Sequence, residues 1–152
     1  MKILDILHPD AVLSDLKSQD KKGILEELVM PLSQVTGMSS NDLFRVLMER
    51  EQLGSTAIGE GIGIPHGKTK GIENMVIGFG LSRKGVDFDS IDGKPTHIFF
   101  TLITPDQSTG LHLKLLARIS KLLKREGFKD KLMNASSSDE ILSVIKNEDD
   151  EF

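Results

Sequence analysis

Cysteine, tryptophan and tyrosine are all absent from this chain. Without cysteine there can be no disulfide, no thiol nucleophile and no cysteine-ligated zinc. No basic block exceeds two adjacent residues. With no tryptophan or tyrosine to stack on bases, nucleic-acid binding is not expected. The 19 basic and 23 acidic residues leave a net charge of −4, which argues against a general affinity for anionic membranes as well. Long apolar runs are missing too, so no membrane insertion is expected. The first residues carry Asp5, His8, Asp10 and Asp15, unlike a signal peptide. These absences point to a cytoplasmic protein.

What is present suits one domain. The 152 residues, 38% apolar and 28% charged, can bury a single sizeable core. Residues 1–147 read as that domain and residues 148–152 as a solvated acidic tail. Apolar spacing by threes and fours predicts a helix from an N-cap at Asp20 to about residue 35, closed by Gly37, with Pro31 kinking or breaking it. A second helix opens at Ser39 or Ser40, presents Leu43, Phe44, Leu47 and Met48, and has Gly54 at its C-cap. The runs 75–81 and 96–103 are short, apolar and rich in branched and aromatic residues, as buried strands are. Val86 and Phe88 suggest a short edge strand, and residues 11–16 a further one. A third helix spans about 111–125 and ends at Gly127; a last one opens at the capping pattern Ser137-x-x-Glu140. The fold class is therefore α/β: a single mixed sheet flanked by helices on both faces, a three-layer sandwich.

The stretch 53–68, LGSTAIGEGIGIPHGK, fits neither helix nor strand composition. It holds five glycines and ends with His66 between Pro65 and Gly67. Pro65 fixes φ just before the imidazole. The segment reads as a built loop that presents His66. Nucleotide motifs fail on spacing. A phosphate-binding loop ending in Gly67-Lys68-Thr69 needs glycine where Ile62 stands, and a dinucleotide fingerprint needs small residues at Ile64 or His66. No GxSxG elbow and no HExxH pattern is present, and no metal or cofactor is expected.

Of the four histidines, His8 reads as a surface or capping residue and His97 as a structural one. His66 and His112 remain. An imidazole near neutrality is a ready nucleophile for a phosphoryl group, provided other groups stabilise the transferring oxygens. Arg50 and His112 are the candidates for that task. The bland alternatives stay open on these residues: a loop histidine bonded to its neighbours, a core histidine, and a helix-terminal charge.

The run Arg50-Glu51-Gln52-Leu53-Gly54-Ser55-Thr56-Ala57-Ile58-Gly59, followed by Gly61-Ile62-Gly63-Ile64-Pro65-His66-Gly67-Lys68, resembles a known signature. It is that of enzyme IIA domains of the fructose, mannitol and nitrogen-regulatory class of the phosphoenolpyruvate-dependent phosphotransferase system. Pro105 with Gly110-Leu111-His112-Leu113-x-Leu115-Leu116 resembles the second histidine region of that family. Ala57 stands where glycine is frequent. The resemblance implies a mixed sheet flanked by helices and a phosphocarrier role. His66 would accept phosphate from the carrier protein HPr, with His112 and Arg50 lining the site, and without metal or nucleotide. The onward acceptor would be a separate IIB protein in sugar uptake. In the nitrogen-regulatory alternative, the phosphorylation state of His66 would control binding to regulatory target proteins.

Overall fold

The two apolar runs become the centre of the sheet. In the computed structural model, which describes residues 2–150, they form β5 (Val76–Val86) and β6 (Thr96–Pro105), paired antiparallel with Phe79 opposite Phe100. The expected edge strand at Val86 is instead the end of β5, reached through a register shift after Leu81. Strand β1 (Leu7–Leu13) lies parallel to β5, slightly earlier in the chain than the sequence suggested. The glycine-rich stretch supplies β2 (Ala57–Gly59), β3 (Ile62–Gly63) and β4 (His66–Thr69). The sheet order is β1-β5-β6-β3-β2, with β4 also on β6. Strands β3 and β4 share one edge of β6 in succession, both parallel to it: Ile62 pairs with Ile98, and His66 with Leu102. The segment expected to be a loop is thus a broken strand.

Helices cover both faces. Helices α1 (Lys21–Thr36) and α2 (Ser40–Glu51) pack on one; α3 (Thr109–Leu123), α4 (Phe128–Asn134) and α5 (Ser138–Asp150) pack on the other. The alternation of β6 divides the core. Ile98, Phe100 and Leu102 join Leu115, Ile119 and Ile145, whereas Phe99 and Ile103 join Leu28, Leu43 and Leu47. The mixed sheet with helices on both sides is the fold expected from the sequence.

The details differ in four places. Asp20 caps α1 by accepting from the Gly23 N–H at 2.7 Å, but Pro31 neither breaks nor ends the helix. Its ring removes one backbone bond, a loss outweighed by Leu28, Val29 and Leu32 buried on either side of it. Helix α2 closes at Gln52, not at Gly54, which instead donates to the Glu51 carbonyl one turn later. Gly127 is the left-handed N-cap of α4, a helix absent from the sequence reading. The acidic tail is the correction of most consequence. Residues up to 150 continue α5, with Glu148 and Asp149 buried; residues 151 and 152 lie outside the described residues. Asp149 accepts from the Ile3 N–H at 2.7 Å and pairs with Arg118 at 2.6 Å. It ties the N-terminus to α3 and α5.

Gly67 decides how closely α2 approaches the sheet. A methyl group there would lie 2.5 Å from Val46 Cγ1 and 3.3 Å from the Val46 carbonyl oxygen. Valine is stiff at χ1, so the helix itself must move. Gly67→Ala is expected to lower stability by about 1–3 kcal/mol. Urea unfolding against the parent measures it, and an unchanged midpoint would show that α2 yields freely.

Candidate active site

The elements bring His66 and His112 together and leave the Arg50 charge within electrostatic reach of His66. His66 opens β4, on the same face of the sheet as its partner Leu102, toward α3. Its Nδ1 lies 2.7 Å from the Ile64 carbonyl oxygen. A carbonyl can only accept, so Nδ1 carries the proton and the lone pair of the neutral ring is on Nε2. Gly67, next in the chain, faces α2. The strand therefore turns its imidazole to one helical layer while the other layer presses on its back.

His112 enters from the first turn of α3. It is 4% exposed, and its Nδ1 pairs with the Thr104 hydroxyl at 2.7 Å. The two imidazole centroids are 5.3 Å apart, tilted by 57°. Arg50 occupies the last turn of α2 and donates to the Gly54 carbonyl at 2.8 Å. Lys68 shares the face of His66 and reaches Thr109 Oγ1 at 3.3 Å. Arg50 and Lys68 both bear electrostatically on His66. The arrangement is two imidazoles and Lys68 beside the N-terminus of α3, with the Arg50 charge acting on His66 from the end of α2, which suits an oxyanion. His8 and His97 lie elsewhere: Asp10 N–H donates to His8 Nδ1 at 3.1 Å, and His97 pairs with the Ser82 carbonyl at 3.0 Å.

The turn between β2 and β3 is built from three successive positive-φ residues, Gly59 at 96°, Glu60 at 58° and Gly61 at 80°. Glu60 is held there by Asp92, whose carboxylate accepts its N–H at 3.0 Å. The amides of Glu60 and Lys94 and the Ser90 hydroxyl pull the Asp92 carboxyl down to about 2. Ala57 adopts ordinary negative φ, so it needs no glycine there.

Burial is the main cause that pushes both site imidazoles below their ordinary range. For His66, the bond to Ile64 and the charge of Glu51 oppose it, and Arg50 and Lys68 assist it. His112 is pushed down to about 4 by burial, then by His66 and Lys68. Both rings are neutral at pH 7. Between the ordinary value of 6.5 and about 4, the unfolded chain takes up a proton at His112 that the folded chain refuses. Stability is expected to fall as the pH drops through that window. Urea unfolding at stepped pH tests this, with His112→Asn giving the flatter profile. Profiles of equal slope would contradict the assignment.

The sequence reading missed Glu51, Thr56, Lys68 and Thr104. For Glu51 a signal was available: Leu43, Leu47 and Glu51 form one buried stripe at spacing four, and a carboxylate ends it.

A mixed sheet between two helical layers, with two imidazoles 5.3 Å apart at one of its strands, can be set beside known proteins. The family described as phosphoenolpyruvate-dependent sugar phosphotransferase system, EIIA 2, matches residues 5–148, and the chain belongs to it. The chain is similar to a nitrogen regulatory protein of Bradyrhizobium diazoefficiens, 39% identical over 145 residues that cover 95% of each protein. It is also 35% identical over 150 residues to the fructose-specific EIIABC component of Bacillus subtilis, covering 98% of this chain but 24% of that protein. The chain thus spans about a quarter of that relative's length. The crystal structure of nitrogen regulatory protein IIA-Ntr from Neisseria meningitidis aligns with a TM-score of 0.88 at 33% identity, covering 93% of this chain and 97% of that one. A complex of enzyme IIA mannitol with phosphorylated IIB mannitol from Escherichia coli aligns at a TM-score of 0.78 and 18% identity, covering 93% of this chain and 99% of that one, a likeness of fold. EIIA domains are phosphotransferase components. Among the described residues, no helix is long and apolar enough to cross a membrane.

Proposed function

We propose that this protein is a phosphocarrier whose His66 accepts a phosphoryl group from phosphorylated HPr. The observation that carries the reading is the Nδ1–H bond from His66 to the Ile64 carbonyl, which leaves the nucleophilic lone pair on Nε2. A bond forms between Nε2 and phosphorus as the donor's N–P bond breaks, and the electron pair of that bond stays on the donor nitrogen. His66 keeps its Nδ1 proton throughout, so the phosphorylated ring is a cation steadied by a carbonyl dipole. Arg50, Lys68 and His112 stabilise the phosphoryl oxygens. Exposed apolar side chains close in the chain to Arg50 and His112, Leu53 (85%) and Leu113 (61%), offer a partner docking contacts.

Two onward fates suit such a carrier. One is transfer to a separate IIB-type acceptor during fructose- or mannitol-type uptake, in line with the mannitol IIA–IIB complex that shares the fold. The other is regulatory: phosphorylation adds a charge of about −1.5 to −2 and switches the binding of target proteins without moving sugar. Similarity across 95% of both chains to a nitrogen regulatory protein favours the second. The test is incubation with phosphoenolpyruvate, enzyme I and HPr, read by intact mass. One acid-labile phosphate supports the phosphocarrier reading; an unlabelled folded protein refutes it. Partner capture with and without the phosphate then separates the two fates.

A further inference from the structure

Glu51 is the last residue of α2, with its side chain 1% exposed. A carboxylate there is desolvated and sits at the negative end of a helix dipole, which costs stability twice. Three donors offset this. The Thr56 N–H donates to Oε1 at 3.1 Å, the Thr56 hydroxyl donates to Oε2, and Lys21 Nζ stands 2.9 Å from Oε1. Lys21 is itself held over the Phe88 ring at 4.8 Å and near Asp89 at 3.4 Å.

The chain of bonds does not stop at Thr56, a residue only 3% exposed. Its carbonyl accepts the Ile64 N–H at 3.1 Å, and the Ile64 carbonyl accepts the His66 Nδ1–H at 2.7 Å. Carboxylate, threonine, main-chain amide and imidazole are therefore joined without a gap. Carboxylates that orient a working histidine usually touch its ring; this one grips the backbone that touches it. We infer that Glu51, seated by Lys21, is a positioning residue that fixes the ring orientation and Nδ1–H tautomer of His66 through Thr56 and Ile64. The inference rests on His66 being the phosphoryl acceptor. Electrostatics point the same way. Around His66, the charges of Arg50 and Lys68 favour the neutral ring, neutral His112 stands opposite, and Glu51 supplies the opposing negative charge. That charge favours the cationic ring formed when phosphate is taken up.

Glu51→Gln tests the idea in the full-length protein. Glutamine leaves one acceptor oxygen for three donors and turns an NH2 group toward Thr56 or Lys21. Phosphorylation by phosphorylated HPr is expected to slow about tenfold. Nitrogen-resolved NMR of the imidazoles is expected to show His66 passing from a single Nδ1–H tautomer to a mixture, with titration moved to lower pH. Thr56→Val, which loses the hydroxyl branch and keeps the N–H, is expected to show a smaller change in the same direction. It also serves if Glu51→Gln fails to fold. A folded Glu51→Gln protein with the parent's rate and tautomer overturns the inference. So does a lowered unfolding midpoint with the tautomer unmoved, which marks a purely structural carboxylate. If the parent itself takes no phosphate yet the tautomer still shifts on substitution, the phosphocarrier reading fails and the positioning role stands.

Discussion

His66→Ala is expected to take no phosphoryl group from phosphorylated HPr, a loss of at least about 10⁴-fold, because the variant lacks the nucleophile itself. The fold is expected to survive. The ring is only half-buried, and its sole backbone bond goes to a carbonyl two residues away that water can serve. Intact mass after incubation, together with a thermal unfolding curve, measures both halves. A folded His66→Ala protein that still gains an acid-labile phosphate would move the chemistry to His112. That outcome conflicts with the 4% exposure of His112 and with the occupation of its Nδ1 by Thr104.

Asp149→Ala is expected to cost about 2–3 kcal/mol of stability, chiefly from a buried N–H left without its acceptor. Asp149 accepts from the Ile3 N–H at 2.7 Å and from Arg118 Nε at 2.8 Å; the carboxylate and the Ile3 N–H are buried, and Arg118 is partly exposed. Removing it loosens the first turn of the chain from the last helix. Asp150→Ala is the control. That carboxylate is exposed and pairs with Lys146 on the surface, so its loss is expected to leave the urea midpoint where it was. Equal midpoints for the two variants would restore the solvated tail that composition alone suggests.

Glu51 and Asp149 escaped the sequence reading for one shared reason. Leu43, Leu47 and Glu51 in α2, and Ile141, Ile145 and Asp149 in α5, are buried stripes that each end in a carboxylate eight residues on. Composition counts such a residue as surface. Only the partners brought from outside its own helix, Thr56 and Lys21 in one case and Ile3 and Arg118 in the other, make its burial tolerable. Runs with strong local character were legible instead. The strands at 76–81 and 96–103 were plain from branched and aromatic residues, and helix α1 from its cap and spacing. Strands of two to four residues, as in β2, β3 and β4, are too short to display any period. The existence of β3 and β4 depends on β6 lying beside them, and that of β2 on β3. The candidate site was legible where chemistry was concentrated, at His66, and unreadable where it was assembled through space.

The broken strand beside β6 has a further consequence, for solubility. A sheet of six strands has two flanks that can recruit foreign chains. One flank here is cut into pieces of two to four residues, and a turn of left-handed residues separates two of them. The other is β1, where exposed His8, Pro9 and Asp10 coincide with a slip in register between Leu7 and Val12. Neither flank offers the long, flat row of amides and carbonyls that seeds intermolecular sheets. A phosphocarrier of the kind proposed would then keep its encounters to side chains, and its backbone out of them.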